Sequence, residues 1–397
     1  MTTMTRRTTF RLAALAAAVV LPLGDAHAAD PIKFGVAAHK TGPLAAGYAV
    51  TQANSVAMWV AQVNERGGLR MKDGSRRKVE LIEYDDRTNP GETIKAIERL
   101  ATQDKVDFII APYGTGFNVA TAPVFAKYGY PQIAVTAITD KTGELAARYP
   151  SISITLGTTT AFADSVAEIL AKLHKDGKIG NKVAMVNVAD EFGIELADAA
   201  RPIFKKHGLE IVYDKSYPLG TQDVSPIVKG AKDANPDAFV AWSYPPDTFA
   251  ITEQAKIAGL ATKAFYTAVG TPFPAFAGKF VGSAEGILGA GGVNPDEAAM
   301  QAFYADHKRL TGKDADYWAS PVVYASLQVM EQAIEGVGAA DRKAVVDYIK
   351  KNSFKTVMGD WSFKNQTIDS FWTVGQWQGG KFVGVASTGK SGEKPVQ

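Results

Sequence analysis

Val79-Glu80-Leu81-Ile82-Glu83-Tyr84-Asp85, then a helical pattern opened by Asn89-Pro90-Gly91-Glu92, then Val106-Asp107-Phe108-Ile109-Ile110: in this order the fold becomes legible. Asparagine caps helices, proline suits the first helical position, and Glu92 can reach back to the cap. Ile94, Ile97, Leu100 and Ala101 recur at helical spacing and supply that helix's buried face. The unit returns later in the chain. Leu209-Glu210-Ile211-Val212-Tyr213-Asp214, a helix opened by Ser225-Pro226, and Pro236-Asp237-Ala238-Phe239-Val240 repeat its plan. Strands alternating with helices predict an α/β fold with mostly parallel sheets, and two such runs predict two lobes of one kind.

Outward from these runs, strands are expected over 32–38 and 129–135, and a helix over 52–66 ended by Gly67-Gly68. Around the second run, 182–188 reads as a strand and 195–207 as a helix. After Gly289 the chain turns helical again, with starts at Asn294-Pro295-Asp296-Glu297 and Ser320-Pro321. Near the end, two strand patterns flank Gln378-Gly379-Gly380 and read as a β-hairpin over 371–386.

The first 28 residues read as a secretory leader. Arg6, Arg7 and Arg11 make a basic start, 12–23 is an uncharged apolar run, and Ala26-His27-Ala28 is a small–x–small cleavage pattern. The run is too short to span a bilayer. Two threonines separate Arg6-Arg7 from Phe10, so the general secretory route is expected rather than twin-arginine export. The leader holds three arginines and one aspartate, which leaves the mature chain with 40 basic and 40 acidic residues. A neutral chain without basic runs argues against nucleic acid or an anionic membrane as partner. The absence of cysteine excludes a disulfide framework, a thiolate nucleophile, a cysteine–metal site and a lipoprotein anchor. A mature chain of about 370 residues exceeds what one core usually organises, which again favours two lobes.

Gly114-Thr115-Gly116 stands between a strand and a helix start. Free N–H groups there, with the helix dipole behind them, suit an anion such as a carboxylate, and a tight structural turn is the alternative. A dinucleotide fingerprint would need glycine where Val119 stands. Thr136-Ala137-Ile138-Thr139-Asp140 and Trp242-Ser243-Tyr244-Pro245-Pro246-Asp247 follow strands in the two runs, where an open α/β sheet lines its crevice. Asp85-Asp86-Arg87 reads as a turn and cap more readily than as a cation site. The five histidines form no close pair, and Gly282-Ser283-Ala284-Glu285-Gly286 has its serine one place too early for a nucleophile elbow. No catalytic set, metal site or cofactor is expected.

Taken together, the chain resembles the type I periplasmic solute-binding proteins of ABC importers, of the leucine/isoleucine/valine-binding kind. The resemblance is carried by Thr41-Gly42-Pro43, Asn64-Glu65-Arg66-Gly67-Gly68-Leu69, Tyr84-Asp85-Asp86 with Asn89-Pro90, and Gly129-Tyr130-Pro131. Asp190-Glu191-Phe192-Gly193, Ser243-Tyr244 and Gln376-Trp377-Gln378-Gly379-Gly380-Lys381 extend it over nearly the whole mature chain.

The resemblance implies two Rossmann-like lobes joined by three crossovers near 155, 290 and 360, with the ligand in the cleft between them. It divides the chain into 29–155 plus 291–358, 156–290 plus 359–390, and a flexible tail at 391–397. It implies a periplasmic, monomeric protein whose partners are a small-molecule ligand and a membrane permease. A ligand-sensing partner of a membrane receptor is the alternative, and a periplasmic hydrolase a more distant one. By the same resemblance, Tyr113, Gly114, Thr115 and Gly116 grip a ligand carboxylate together with the loop carrying Thr136, Ala137 and Thr139. Phe192 and Tyr244 supply aromatic contacts from the second lobe, with Tyr48 and Tyr266 nearby. Where amino-acid binders carry an acid to pair the ligand ammonium, this chain has Val269. Burying an unpaired ammonium is costly, so the ligand is expected to lack an α-amino group unless Asp190, Glu191 or Asp247 takes that role.

Overall fold

A computed structural model describes residues 1–2 and 30–397 of the chain. The leader expected over 1–28 therefore lies almost wholly outside the described residues. Among the described residues, no helix is long and apolar enough to cross a membrane.

The protein is an α/β molecule of two lobes. In the first, Ile32–Ala38 is the middle of three parallel strands, between Val79–Asp85 and Phe108–Ile110. The parallel pair Gln132–Ala134 and Ile152–Ile154 stands beside Phe108–Ile110. The second lobe holds seven strands in the order Lys381–Thr388, Phe371–Gln378, Leu288–Ala290, Ala264–Thr267, Ala238–Trp242, Lys182–Val188, Glu210–Tyr217. The last five are parallel, and the C-terminal hairpin adds the antiparallel edge. Such strands are buried on both faces, which is why Lys182–Val188 and Ala238–Trp242 read as nearly continuous apolar runs.

Local chemistry sets the helix starts. The Asn89 side chain accepts from the N–H groups of Gly91 and Glu92 and opens Pro90–Thr102, whose Ile97 and Leu100 are buried. Glu92 does not reach back to the cap; its carboxylate pairs with Lys95 at 2.8 Å. The helix expected from 195 begins four residues earlier, at Glu191, because Asp190 caps it through the Gly193 N–H. The start expected at Asn294 is instead a turn, in which Asn294 accepts from the Asp296 N–H, and the helix runs over Ala298–Thr311. The helix expected from 52 is preceded by Ala45–Tyr48 and a π-helical turn, Ala49–Ala53, that leads into Asn54–Glu65. Thr51 and Ser55 donate there to the Gly47 and Thr51 carbonyls.

Three chain segments cross between the lobes side by side. The Ile154 N–H donates to the Gln366 carbonyl, and the Gly291 N–H to the Thr373 carbonyl. Gly291 has φ +80°, and a Cβ there would stand 1.9 Å from the Trp318 ring. Expected to be a free tail, the last residues are tied to the second sheet instead. The Lys394 N–H donates to the Gly384 carbonyl, Gln378 donates to the Pro395 carbonyl, and the Gln397 N–H donates to the Gln376 side chain. The glutamines that hold this strap lie inside the hairpin, and hairpin pairing alone does not announce that role.

Candidate ligand-binding cleft

The strands deliver their following loops to one place. Tyr113 and Gly114 follow Phe108–Ile110, and Thr136 follows Gln132–Ala134. From the other lobe, Asp190 follows Lys182–Val188, Tyr244 follows Ala238–Trp242, and Val269 follows Ala264–Thr267. The carboxyl ends of both parallel sheets thus face one another across the lobe boundary, where open α/β sheets bind ligands.

A cavity of about 20 Å³ remains there, lined by Tyr113, Gly114, Thr136, Phe192, Tyr244 and Val269 together with Ile138, Leu156, Trp318 and Ala319. That volume holds about one water. An aromatic ring needs on the order of 150 Å³, so the lobes must part for a ligand to enter. The rings of Tyr113 and Tyr244 meet across the boundary with centroids 6.3 Å apart, and Phe192 lies against Tyr244 at 4.9 Å.

On the first-lobe side, Gly114 (φ +91°) begins the helix Thr115–Tyr128 and brings no side-chain cap to the N–H groups of the first turn. These groups and the helix dipole favour an anion. The Gly114 N–H itself donates to the Thr136 hydroxyl at 2.8 Å. Thr115 behaves differently from what its sequence position suggests. Its hydroxyl is fully buried, accepts from the Ile138 N–H at 3.1 Å and donates to the Ile138 carbonyl. It joins the two grip loops rather than facing the cavity.

Several other expected residues are also set back. Ala137 is buried under the loop, and Thr139 is occupied by the Gly157 carbonyl and the Lys141 N–H. A Cβ on Gly116 would stand 3.3 Å from the Glu191 Cβ, so Gly116 marks the lobe contact. Tyr48 is buried beside His39, and Tyr266 packs on Trp242 with its hydroxyl unpartnered.

The second-lobe side is acidic behind an aromatic face. Tyr244 donates to Asp190 at 2.9 Å, and Tyr217 lies 3.4 Å from Asp247. Burial raises the Asp190 carboxyl above its ordinary range and pushes Asp247 up to about 6. Burial, with Asp190 nearby, also holds the Tyr244 hydroxyl well above its usual range. At the rim, Lys141 of the first lobe pairs with Glu191 and, at 2.9 Å, with Glu195. Both carboxylates raise the lysine, which in turn lowers Glu191, whereas burial keeps Glu195 raised.

Trp318 and Ala319 escape a reading of strand ends because they enter from the start of the helix Ala319–Val337. The fully buried Asp316 makes that corner by accepting from the Trp318, Ala319 and Ser320 N–H groups. An acid shortly ahead of Ser320-Pro321 is the signal that could have revealed it. Asp85 and Asp86 serve turns and caps, since Asp85 binds Thr41 and the Arg87 N–H, and Asp86 binds His39, Thr93 and the Thr88 N–H.

Residues 31–381 match the family model described as periplasmic binding protein. The Leu/Ile/Val-binding protein of Escherichia coli (strain K12) is 26% identical over 349 residues, covering 87% of this chain and 90% of that protein. Among solved structures, the branched-chain amino acid transporter substrate-binding protein of Streptococcus pneumoniae in complex with isoleucine has a TM-score of 0.76 at 21% identity. It covers 90% of this chain and 99% of its own. A solute-binding protein of an ABC transporter from R. palustris in complex with benzoate has a TM-score of 0.77 at 17% identity, covering 92% of this chain and 98% of its own.

Proposed function

The chain belongs to the periplasmic binding protein family, and from that membership we propose that it is the solute-binding component of an ABC transporter. It captures a small carboxylate-bearing ligand between its lobes and delivers it to the membrane permease, acting in the periplasm as a monomer without transforming what it binds. The ligand is a hydrophobic or branched-chain amino acid, or an aromatic or aliphatic carboxylic acid. The observation that carries this reading is the start of Thr115–Tyr128, with no side-chain cap, which directly follows Gly114 in the wall of an apolar cavity between the lobes. The free N–H groups suit a carboxylate, and Phe192, Tyr244, Leu156 and Val269 suit an apolar body. Relatives whose names and bound ligands are of both kinds agree with it.

In this reading the lobes comprise 29–155 plus 291–358 and 156–290 plus 359–390. The return of Phe371–Gln378 to the second sheet supports that division. Val269 lies on the cavity wall, which supports a ligand without an α-amino group, while Asp190 behind Tyr244 is the acid best placed to reverse that preference.

The test is a thermal-shift screen of leucine, isoleucine, benzoate, 4-hydroxybenzoate and short aliphatic acids, since a bound ligand raises stability by RT ln(1 + [L]/Kd). Calorimetry on phenylpropionate against phenylalanine then decides the amino-group question. No stabilisation by any carboxylate, or steady release of a product from the best binder, would overturn the proposal.

A further inference from the structure

His39 follows the central strand Ile32–Ala38 and is fully buried, as is its partner Asp86. Its two ring nitrogens both face acceptors. Nδ1 is 2.6 Å from Asp86 Oδ1, and Nε2 is 2.9 Å from the carbonyl oxygen of Tyr113, the residue that begins the anion-binding turn. Neutral imidazole carries one N–H and can donate to only one of them; imidazolium donates to both. The surroundings offer Asp86 donors: its Oδ1 also takes the Thr88 N–H, and the Thr93 hydroxyl is shared between its Oδ2 and the Asn89 carbonyl.

Among the described residues, no further ion pair joins the cluster. The other groups around the ring are the aromatic side chains of Tyr48, Tyr113 and Phe117, the last with its centroid 4.4 Å away. The nearby Lys40 is engaged by Glu83, and Asp85 by Thr41. With the ring protonated, the pair forms a buried dipole. Its positive end touches the turn Tyr113–Gly116, and its negative end points back toward the start of Pro90–Thr102.

Resting on the carboxylate-binding reading above, we infer that His39, held doubly protonated between Asp86 and the Tyr113 carbonyl, is a positioning residue of the anion-binding turn. It fixes the backbone from which the Thr115–Phe117 N–H groups project. It also places positive charge behind them, in a first-lobe wall where, among the described residues, no lysine or arginine lines the cavity. A hydrogen bond from a charged donor holds the carbonyl more firmly than a neutral one would. Because the ring does not line the cavity, it selects for an anion without contacting one.

Two measurements on the full mature protein test this. Nitrogen NMR of histidine-labelled wild type at pH 7.5 should show His39 with both ring nitrogens protonated; one bare nitrogen would overturn the inference, and no variant has to fold for this result. Calorimetry on wild type and His39→Gln then compares benzoate with benzamide, and 4-methylpentanoate with its amide. Mere loosening of the turn weakens acid and amide alike. Loss of the charge should lower the acid-to-amide affinity ratio by about threefold to tenfold. An unchanged ratio in a folded variant would overturn the inference and leave the proposed function standing. Failure of wild type to bind either acid would remove support from the function, while the NMR result would still decide the state of His39.

Discussion

Replacing Lys141 by Met should open the cleft. Lys141 is the cation that ties the first lobe to Glu191 and Glu195 of the second. Its side chain is 46% exposed and that of Glu191 34%, so water screens this pair and it contributes about 0.5 kcal/mol. Glu195 is only 11% exposed, and its pair contributes about 1 kcal/mol. The repulsion between the two glutamates, one helical turn apart on the same helix, is the same in both states and cancels. The total, roughly 1.5 kcal/mol, is a factor of about 10 in the closed-to-open equilibrium. A ligand gripped only by the closed form loses apparent affinity by the same factor when that form is scarce. Small-angle scattering of the ligand-free protein should show a larger radius of gyration for Lys141→Met. Calorimetry with the best screened ligand should show the weaker binding. Salt supplies the control, because raising it across a few Debye lengths should weaken the wild type toward the variant and change the variant little. Equal affinity and equal salt response in the two proteins would refute the latch.

Thr136→Val should weaken carboxylate binding by about 1–3 kcal/mol in calorimetry, since the hydroxyl holds the Gly114 N–H and both residues line the cavity. Thr115→Val should lower the melting temperature, with about 1–3 kcal/mol lost from the buried bonds to Ile138; unchanged melting would show those bonds to be dispensable. Asp247 titrates near 6 in the folded protein against 3.8 in its ordinary state, because burial penalises its charge. An acid raised on folding costs no stability below the lower value; the cost grows as pH rises from the lower value to the higher one and is constant above it. Asp247→Asn should therefore stabilise by about 2–3 kcal/mol at pH 8 and by almost nothing at pH 3 in denaturant titrations. Gly291→Ala should destabilise by about 2 kcal/mol or more, because alanine disfavours φ +80° and its Cβ would enter the Trp318 ring; full stability would show that the crossover repacks freely.

Elements whose information is local were legible in the sequence. Ile32–Ala38, Lys182–Val188 and Ala238–Trp242 stand where apolar runs bounded by turn residues put them. Asn89-Pro90 opened its helix through the expected side-chain cap. Starts failed where an Asx turn competes with helix initiation, as at Asn294, or where a cap lies earlier than the apolar pattern begins, as at Asp190. The π-helical turn Ala49–Ala53 leaves no mark in a pattern of mixed small and polar residues.

The cleft was half legible for a related reason. Parallel strands deposit their following loops on one edge, so Gly114, Thr136 and Tyr244 could be brought together by topology, and Tyr113, Phe192 and Val269 by the family resemblance. Topology does not say which way a side chain in such a loop turns. Thr115 and Thr136 are equally plausible in sequence, yet one stitches two loops together and the other meets the cavity. Nor does it reveal what arrives from distant segments. Trp318 depends on Asp316 to shape its corner, and Lys141 finds its partners only when the lobes meet. The strand-end residues line the cavity, and the contacts hidden from sequence reading shape its corner and join the lobes at its rim.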